Sequence, residues 1–394
     1  MAKLKTCVLV INSGSSSLKF KIFDQHFNVV CQGLVEKIGL KGSFINLEES
    51  YKTKRMIMKN FPEGIDDHYQ AFKLLTPYLK HWKKRIRIIG HRVVHGGPRY
   101  YQPTLISKKI FADLKKINYL APLHNPINIA CIQACFDFFP GIKNAAAFDT
   151  GFYQNIPDYA YTYPIPFELL DKYQIRQYGF HGLSHEYVFK QALMKIKKSP
   201  RRLKIISCHL GSGSSITAIN QGQAIENSMG LTPLQGLMMS TRSGDIDPSI
   251  IFYLVRKFKI DINEVERILN NESGLKGIFG YTKDLRDIMI AAGYKIPGYK
   301  TPKKFKLKEK QRAQLAIRMF IYRVVKYIGS YATVMGGLDY LIFTGGIGER
   351  NADIRKLITK DLRKSWKKFK VLTIPTNEEL MIAQKIQPLN QADA

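Results

Sequence analysis

Residues 8–19 read VLVINSGSSSLK and constrain the fold more than any other stretch. Val8, Leu9, Val10 and Ile11 form an apolar, β-branched run of strand length. It passes directly into Asn12, Ser13, Gly14, Ser15, Ser16 and Ser17, with Lys19 just beyond. Such a turn offers backbone N–H groups, hydroxyls and one ammonium, which suit phosphate oxygens. A polar hairpin loop would read the same way. An echo lies near mid-chain, where residues 205–219, IISCHLGSGSSITAI, again run strand, glycine-serine turn, strand. Two such units half a chain apart predict a duplicated architecture with two phosphate loops facing one cleft. A third glycine turn, TGGIGE at 344–349, follows an apolar run at 340–343. No GxxxxGKS or GxxxxGKT occurs, so there is no Walker A loop. The first two turns lead into strands rather than helices, which argues against a Rossmann arrangement.

A chain of 394 residues with 45% hydrophobic content has room for two globular domains. No apolar run approaches the roughly 18–20 residues that span a membrane. The N-terminal MAKLKT leads straight into a strand that the fold needs, so no cleavable signal is expected. Cys7, Cys31, Cys131, Cys135 and Cys208 are scattered without metal-type spacing, and Cys131 and Cys135 read as core thiols on one helical face. These features favour the cytoplasm. The net charge of +30 comes from 61 basic and 31 acidic residues. It invites a nucleic-acid reading, but the basic clusters at 80–87, 195–204, 295–312 and 363–370 match no reader motif. A solvated basic surface is the expectation, with no specific nucleic-acid partner and no membrane role.

Along the chain, 20–23 and 29–34 read as strands of a meander, 52–59 as another, and 69–75 as a helix that Pro77 helps to end. Residues 86–89 read as a strand running into GHRVVHGG at 90–97. Arg92 there either points into a cleft or lies on the surface. APLHNP at 121–126 holds His124 in a stiff turn between helical stretches. AAAFDTG at 145–151 reads as a strand ending in Asp149, a candidate metal ligand or acid, or else a cap. The aromatic and proline-rich run 153–167 reads as a covering loop or boundary. YGFHGLSH at 178–185 sets His181 among glycines, in a structural or a catalytic role.

The long irregular run 228–248 carries Arg242, and loops of that kind are often functional. Helices are expected at 250–259 and 262–270, a glycine-punctuated turn at 272–280, and a helix start near Asp284 and Arg286. Residues 295–310 read as an exposed loop. A long amphipathic helix is expected over 311–335, stopped by Gly336 and Gly337. A helix over 352–368, a strand over 371–374 and a last helix over 376–385 follow. Glu378 and Glu379 fall in that helix's first turn, where acids complement the dipole.

Arg92, His124, His181, His209 and Arg242 are the candidate cationic or polar groups. A site of Arg and His suits phosphoryl transfer, which needs its charge neutralised and its reactants held in line. A carboxylate acceptor needs no general base, because its pKa is roughly 4. Its difficulty is bringing two anions together, and arginine forks answer that.

The motifs VINSGSSSLK, GHRVVHGG, LAPLHNP, FDT, YGFHGLSH, HLGSG, SMGLTPL, TRSGDIDP, NESGLKG and TNEELMIA occur in order along the chain. Through them the sequence resembles the acetate kinase family along essentially its whole length. That family belongs to the acetate and sugar kinase, heat-shock protein 70 and actin superfamily. The resemblance implies an α/β fold of two ribonuclease H-like domains with a nucleotide cleft between them. The first would be 1–149 plus 380–394. The second, 150–379, would carry nucleotide-binding and dimerisation elements.

It also implies reversible phosphoryl transfer from ATP to acetate with Mg²⁺, or Mn²⁺, in a homodimer to which the long helix contributes. By match of motif, Asn12 and Glu378 would hold the metal region. Lys19 and Ser15–Ser17 would face phosphate. Arg92 and Arg242 would grip carboxylate and phosphoryl group. His181 would bond the phosphoryl oxygens, Asp149 takes the active-site acid position, and His124 lines the same site. His209, Leu210, Gly211, Ser212 and Gly213 would hold the β- and γ-phosphates. Asp284, Leu285 and Arg286, with Gly346, Ile347, Gly348, Glu349 and Arg350, would line the adenosine. Val94, Leu123, Phe180 and Pro233 would cup the acetate methyl.

Several positions depart from the family pattern. Ser212 stands where Asn is usual, Ser13 for Ala or Cys, Tyr153 for His, Gln235 for Glu and Ser240 for Gly, and 354–375 is shorter. The alternatives are a propionate kinase and a non-catalytic nucleotide-binding module of the same superfamily. The latter has no need of Arg92, Arg242 or the apolar cup.

Overall fold

The computed structural model describes residues 6–50, 55–301 and 303–391. Residues 1–5 of the N-terminal stretch, 52–54 of the strand expected at 52–59, Pro302 of the expected loop and residues 392–394 lie outside the described set. The chain divides into two compact units. One comprises Met1–Gln154, His181–Tyr187 and Asn377–Ala394, and the other Asn155–Phe180 and Val188–Thr376. Relative to the division read from the sequence, 150–154, 181–187 and 377–379 lie with the first unit.

The first unit is built on an eight-stranded sheet of order β5-β4-β3-β2-β1-β6-β8-β7. Its strands are β1 (Cys7–Gly14), β2 (Ser17–Phe23), β3 (Val29–Glu36), β4 (Ser43–Glu49), β5 (Arg55–Phe61), β6 (Ile86–Val93), β7 (Thr104–Leu105) and β8 (Lys143–Phe148). β1 to β5 form an antiparallel meander, whereas β6 pairs parallel with β1 and β8 parallel with β6. β1 is buried almost throughout because both faces are covered. Cys7, Leu9 and Ile11 join the core under the helices His68–Leu79 and Asn125–Phe138. Val8 and Val10 point the other way, into a core shared with Met381, Ile382 and Ile386 of the last helix, Glu378–Gln391. The period of two along one strand thus serves two hydrophobic layers.

The second unit repeats the plan with β9 (Lys204–Leu210), β10 (Ser214–Asn220), β11 (Gln223–Asn227), β12 (Tyr340–Thr344) and β13 (Lys370–Thr373), in the order β11-β10-β9-β12-β13. β9, β10 and β11 are antiparallel neighbours, while β12 runs parallel to both β9 and β13. In both sheets an antiparallel hairpin extends one side of the first strand and parallel strands extend the other. This is the ribonuclease H-like pattern, present twice. The long helix, Leu307–Val334, buries Ala313, Ala316, Ile317, Phe320, Val324 and Ile328 in the second core.

Several elements differ from the sequence reading. The expected turn at 344–349 is a short helix, Gly345–Arg350, and the turn at 272–280 contains a helix, Gly274–Phe279. The long helix starts at Leu307 because the Glu309 carboxylate accepts from the Lys306 backbone N–H, a capping bond hidden in a lysine-rich run. The helix expected to reach 368 ends at Leu362, and the strand carrying Asp149 ends at Phe148. β4, β11 and the helix Gly182–Ile196 were not expected, and the run 153–167 holds the short helix Asp158–Tyr161. All five cysteines are buried, and burial pushes the Cys131 thiol up to about 12. No helix of the described residues is long and apolar enough to cross a membrane.

Gly33 is where this sheet is most intolerant of a side chain. A Cβ there would lie 2.3 Å from the ring of buried Phe20 and 3.0 Å from the Asn46 carbonyl. Gly33→Ala is expected to cost roughly 1–3 kcal/mol through overpacking, read as a lower denaturant midpoint. An unchanged midpoint would mean that the Phe20 ring can move aside.

Candidate active site

The parallel register of β1, β6 and β8 places Ile11 beside His91, and Arg92 and Val93 beside Ala147 and Phe148. Asn12, Arg92 and Asp149 therefore converge at the carboxyl ends of these strands, the usual ligand end of such sheets. Arg92 presents a fork to Asp149, with Nη2 to Oδ2 at 2.6 Å and Nε to Oδ2 and Oδ1 at 3.0 and 3.2 Å. Its Nη1 donates to Asn12 Oδ1 at 3.2 Å and lies 3.3 Å from Glu378 Oε2. Asn12 Nδ2 donates to Glu378 Oε2 at 3.0 Å and to Glu379 Oε1 at 2.7 Å. Lys21 closes the network at 3.1 Å from Glu379 Oε2.

Burial pushes the Asp149 carboxyl above the ordinary carboxylate range, while the Arg92 guanidinium pulls against that rise. Burial works against the charge of Arg92, but Asp149 and Glu378 outweigh it and hold the guanidinium above its usual value.

His181 belongs to the same unit and has a φ of +58°, in the left-handed region that favours glycine. Its carbonyl accepts from the His185 N–H at 2.9 Å and so starts the helix Gly182–Ile196. A Cβ on Gly182 would lie 2.0 Å from the Asp149 carbonyl, so this strained turn is pressed against the acid's backbone. His124 precedes the helix Asn125–Phe138 and is half-buried, Val94 is buried and Leu123 is exposed. Asn128 of that helix accepts from the Val94 N–H at 3.0 Å and donates to Ser13 Oγ at 2.8 Å. Lys19 is exposed on β2.

In the second unit β9 delivers half-buried His209 and fully buried Leu210 to the turn Gly211–Ser212–Gly213. Leu210 therefore has only its backbone to offer a ligand. The turn is closed by Gly211 N–H to the Gly213 carbonyl at 3.0 Å, and Ser240 N–H bonds the Ser212 carbonyl at 3.2 Å. The Ser212 side chain is exposed. The register sets Thr344 beside His209, so Gly345 and Gly346 flank the first turn, and a Cβ on Gly345 would lie 2.7 Å from the Leu210 carbonyl.

Glu349 Oε1 accepts from the Gly345 and Thr376 N–H groups, both at 2.9 Å, and from Thr344 Oγ1 at 3.2 Å. It is an internal cap. Gly346 and Arg350 are exposed, Gly348 is buried, and Ile347 packs on the core. Asp284 caps Leu285–Ala291 and pairs with Arg286 at 2.6 Å, while the guanidinium lies 4.3 Å from the centre of the Tyr299 ring.

Arg242 Nη1 donates to the Pro233 carbonyl at 3.5 Å, and burial lowers the guanidinium's pKa. Its loop is braced by Ser273, Leu275 and Lys276, whose N–H groups bond the carbonyls of Thr241, Met239 and Ser240 at 2.9, 2.9 and 3.0 Å. Phe180 is held by Asn227, whose neighbour Glu226 accepts from Gln177 Nε2 at 2.5 Å. Burial pushes the Glu226 carboxyl up to about 7, against the bonds from Gln177 and Asn227.

Sequence reasoning missed Glu379, Lys21 and Tyr299 as contacts of the candidate groups. It missed Tyr163 too, whose hydroxyl accepts from the Leu231 N–H at 2.8 Å and donates to Gln235 at 2.6 Å. Glu379 had a signal in its place beside Glu378 in a helix's first turn. Tyr163 sat in a run that reads only as aromatic.

The duplicated sheet, the arginine–carboxylate network and the paired glycine turns define a two-domain α/β protein of the actin, heat-shock protein 70 and sugar-kinase type. The acetokinase family pattern matches residues 7–365, and the chain belongs to the acetokinase family. It is 43% identical over 413 residues to the acetate kinase of Caldicellulosiruptor bescii, covering 97% of this chain and 99% of that one. Among solved structures it is similar to a propionate kinase from Francisella tularensis, with a TM-score of 0.85, 38% identity, and 96% and 98% of the two chains covered. It is also similar to the Porphyromonas gingivalis acetate kinase, with a TM-score of 0.83, 34% identity, and 98% and 99% covered.

Arg92→Ala would leave Asp149 buried without its partner, an expected loss of about 3–5 kcal/mol in unfolding free energy. Arg92→Lys should recover part of it, since lysine restores the charge and not the fork. A loss in Arg92→Ala below about 1 kcal/mol would show that water replaces the guanidinium.

Glu226 supplies a test in pH. Its folded pKa of about 7 stands above the ordinary 4.5, so the folded state binds more protons than the unfolded state between those values. Stability should therefore fall as pH rises through that window, and Glu226→Gln should flatten the slope. Parallel unfolding curves for the two proteins from pH 5 to 8 would contradict a half-buried, protonating Glu226.

Proposed function

We propose that this chain catalyses the reversible transfer of the γ-phosphoryl group of ATP to acetate, giving acetyl phosphate and ADP. The observation that carries the reading is the guanidinium of Arg92, half-buried and forked onto buried Asp149 at the strand ends, in a chain whose relatives include acetate kinases. An acetate oxygen attacks the γ-phosphorus. The bond from that phosphorus to the β–γ bridging oxygen breaks, and its electron pair leaves with ADP. The acceptor is already an anion, so no base is required. The chain must instead neutralise charge and align the reactants.

Arg92 and Arg242 take that role, with His181 donating to the phosphoryl oxygens and His124 lining the same site. Asp149 holds the Arg92 fork at one angle. Val94, Leu123, Phe180 and Pro233 receive the methyl group. Lys19 and residues His209 to Gly213 hold phosphates, and Asp284 to Arg286 with Gly346 to Arg350 hold the adenosine.

Mg²⁺ is the metal this reading implies, and Mn²⁺ suits the same donors. Asn12 and Glu378 offer oxygen ligands appropriate to a hard cation. Among the described residues no group of three or more His, Cys, Asp or Glu is arranged to hold a metal. That suits a cation which keeps waters and shares its coordination with phosphates. When bound it neutralises phosphate charge.

We also assign a homodimer in the cytoplasm. Ile250, Phe252, Tyr253 and Phe258 of the helix Ser249–Phe258 and Tyr322 of the long helix are exposed apolar side chains, which supports a second copy as the partner. Propionate is the second reading, favoured by the likeness to the Francisella tularensis propionate kinase. One methylene is worth only about 1–3 kcal/mol in such a pocket.

The reading is tested by trapping acyl phosphate as hydroxamate with ATP and acetate, propionate or butyrate. Acetate should give the highest kcat/KM, and Arg242→Ala should lower it by roughly 100-fold or more. Ser212→Asn should lower the KM for ATP. No trapped product with any of the acids would overturn the assignment.

A further inference from the structure

The sheet of the second unit has another populated end. At the amino ends of β9, β12 and β13 lies a cavity of about 910 Å³, lined by Lys198, Arg201, Arg202, Lys368 and Lys370, with Asp339 as its one carboxylate. Asp339 is already engaged, because its Oδ2 accepts from the Lys204 N–H at 2.8 Å. Among the described residues no carboxylate lies within ion-pair distance of any of the five cations. The helix dipole accounts for Lys195 in the last turn of Gly182–Ile196. It does not account for Lys368 and Lys370, which lie beyond the helix that ends at Leu362.

Like charges that converge on one concavity raise each other's energy, and a solvated basic surface has no reason to gather them there. β9 runs from this cavity to Leu210, so at about 3.3 Å per residue the phosphate turn lies about 20 Å away. The cavity is therefore no part of the candidate active site.

We infer that this cavity binds a linear chain of linked phosphates, either inorganic or carried by a nucleoside. Two arginine forks and three ammonium groups match the oxygens and the charge of such a chain. The volume fits a small ligand. A nucleic acid strand is the poorer fit. Its bases need exposed aromatic faces for stacking, and the aromatic residues lining the cavity, Tyr340 and Phe369, are only 8% and 7% exposed.

The test is calorimetric titration with inorganic tripolyphosphate of the full chain carrying Ser212→Asp, whose carboxylate in the exposed turn repels phosphate from the nucleotide loop and leaves the cavity open. One saturable site is expected. It should weaken roughly tenfold or more in the double variant Arg202→Glu/Lys370→Glu. It should hold its affinity in Lys308→Glu/Lys310→Glu, which reverses the same charge on an exposed stretch elsewhere. Thermal unfolding is the check that both variants are folded. Displacement of tripolyphosphate by GTP would make the ligand nucleotide-borne, and failure to displace it would make it inorganic. Equal weakening in both variants would reduce the effect to net charge and overturn the proposal. So would undiminished binding in the first variant, no binding of tripolyphosphate to the Ser212→Asp chain, or retention of single-stranded DNA alone.

Discussion

Arg92 occupies a position where a charge is costly unless it is fully met. It ends a strand covered on both faces, and its guanidinium is shared among Asp149, Asn12 and Glu378. The partners come from distant parts of the sequence. Parallel pairing brings Asn12 and Asp149 alongside, and the last helix brings Glu378. Register and charge therefore specify each other. A slip of one residue in β6 would turn Arg92 into an apolar layer. The network also carries more negative charge than positive, with Asp149, Glu378 and Glu379 set against Arg92 and Lys21. A cation or a proton rebalances it.

The last helix does structural and chemical work together. Met381, Ile382, Ala383 and Ile386 complete the core over one face of the first sheet. A Cβ on Gly90 would lie 2.5 Å from Ile386 and 2.8 Å from Ile382, so helix and strand meet at glycine distance. The two acids in the helix's first turn are carried to Asn12 by this packing. Glu378 and Glu379 owe their positions to apolar contacts one and two turns further along, and loss of that packing would disperse the carboxylates.

How much could be read beforehand depended on whether the signal was local. The two strand–turn–strand units were legible because apolar β-branched runs and glycine-serine turns are short-range signals. The helix Gly182–Ile196 was hidden, because its start is marked by His181 in a left-handed conformation instead of a capping Ser or Asp. β4 was hidden because its residue types do not follow its alternation: Ser43 is buried, Phe44 is half-buried, and two acids close the strand. Individual site residues were legible only through motifs. The Arg92–Asp149 fork spans 57 positions, and Asn12 to Glu379 spans 367. No periodicity links residues so far apart. The part played by Glu349 as a cap for three donors was invisible for the same reason, since Thr376 comes from another segment.

Three positions where the resemblance leads one to expect another residue, Ser13, Gln235 and Ser240, are accommodated by ordinary local chemistry. The Ser13 hydroxyl is buried and takes a hydrogen bond from Asn128, which also holds the Val94 N–H, so the polar substitution lands where a donor was waiting. Gln235 accepts from Tyr163, whose oxygen in turn anchors Leu231, so an uncharged amide suffices to hold that loop. Ser240 uses its backbone, donating to Ser212 and accepting from Lys276. Ser212 is different, because only its carbonyl is engaged and its side chain is exposed. A backbone held by glycines on both sides keeps the turn's shape whatever side chain stands between them. The turn thus keeps its backbone while its side-chain reach is that of a hydroxyl instead of an amide. On the proposed reading, any difference this makes falls on nucleotide affinity.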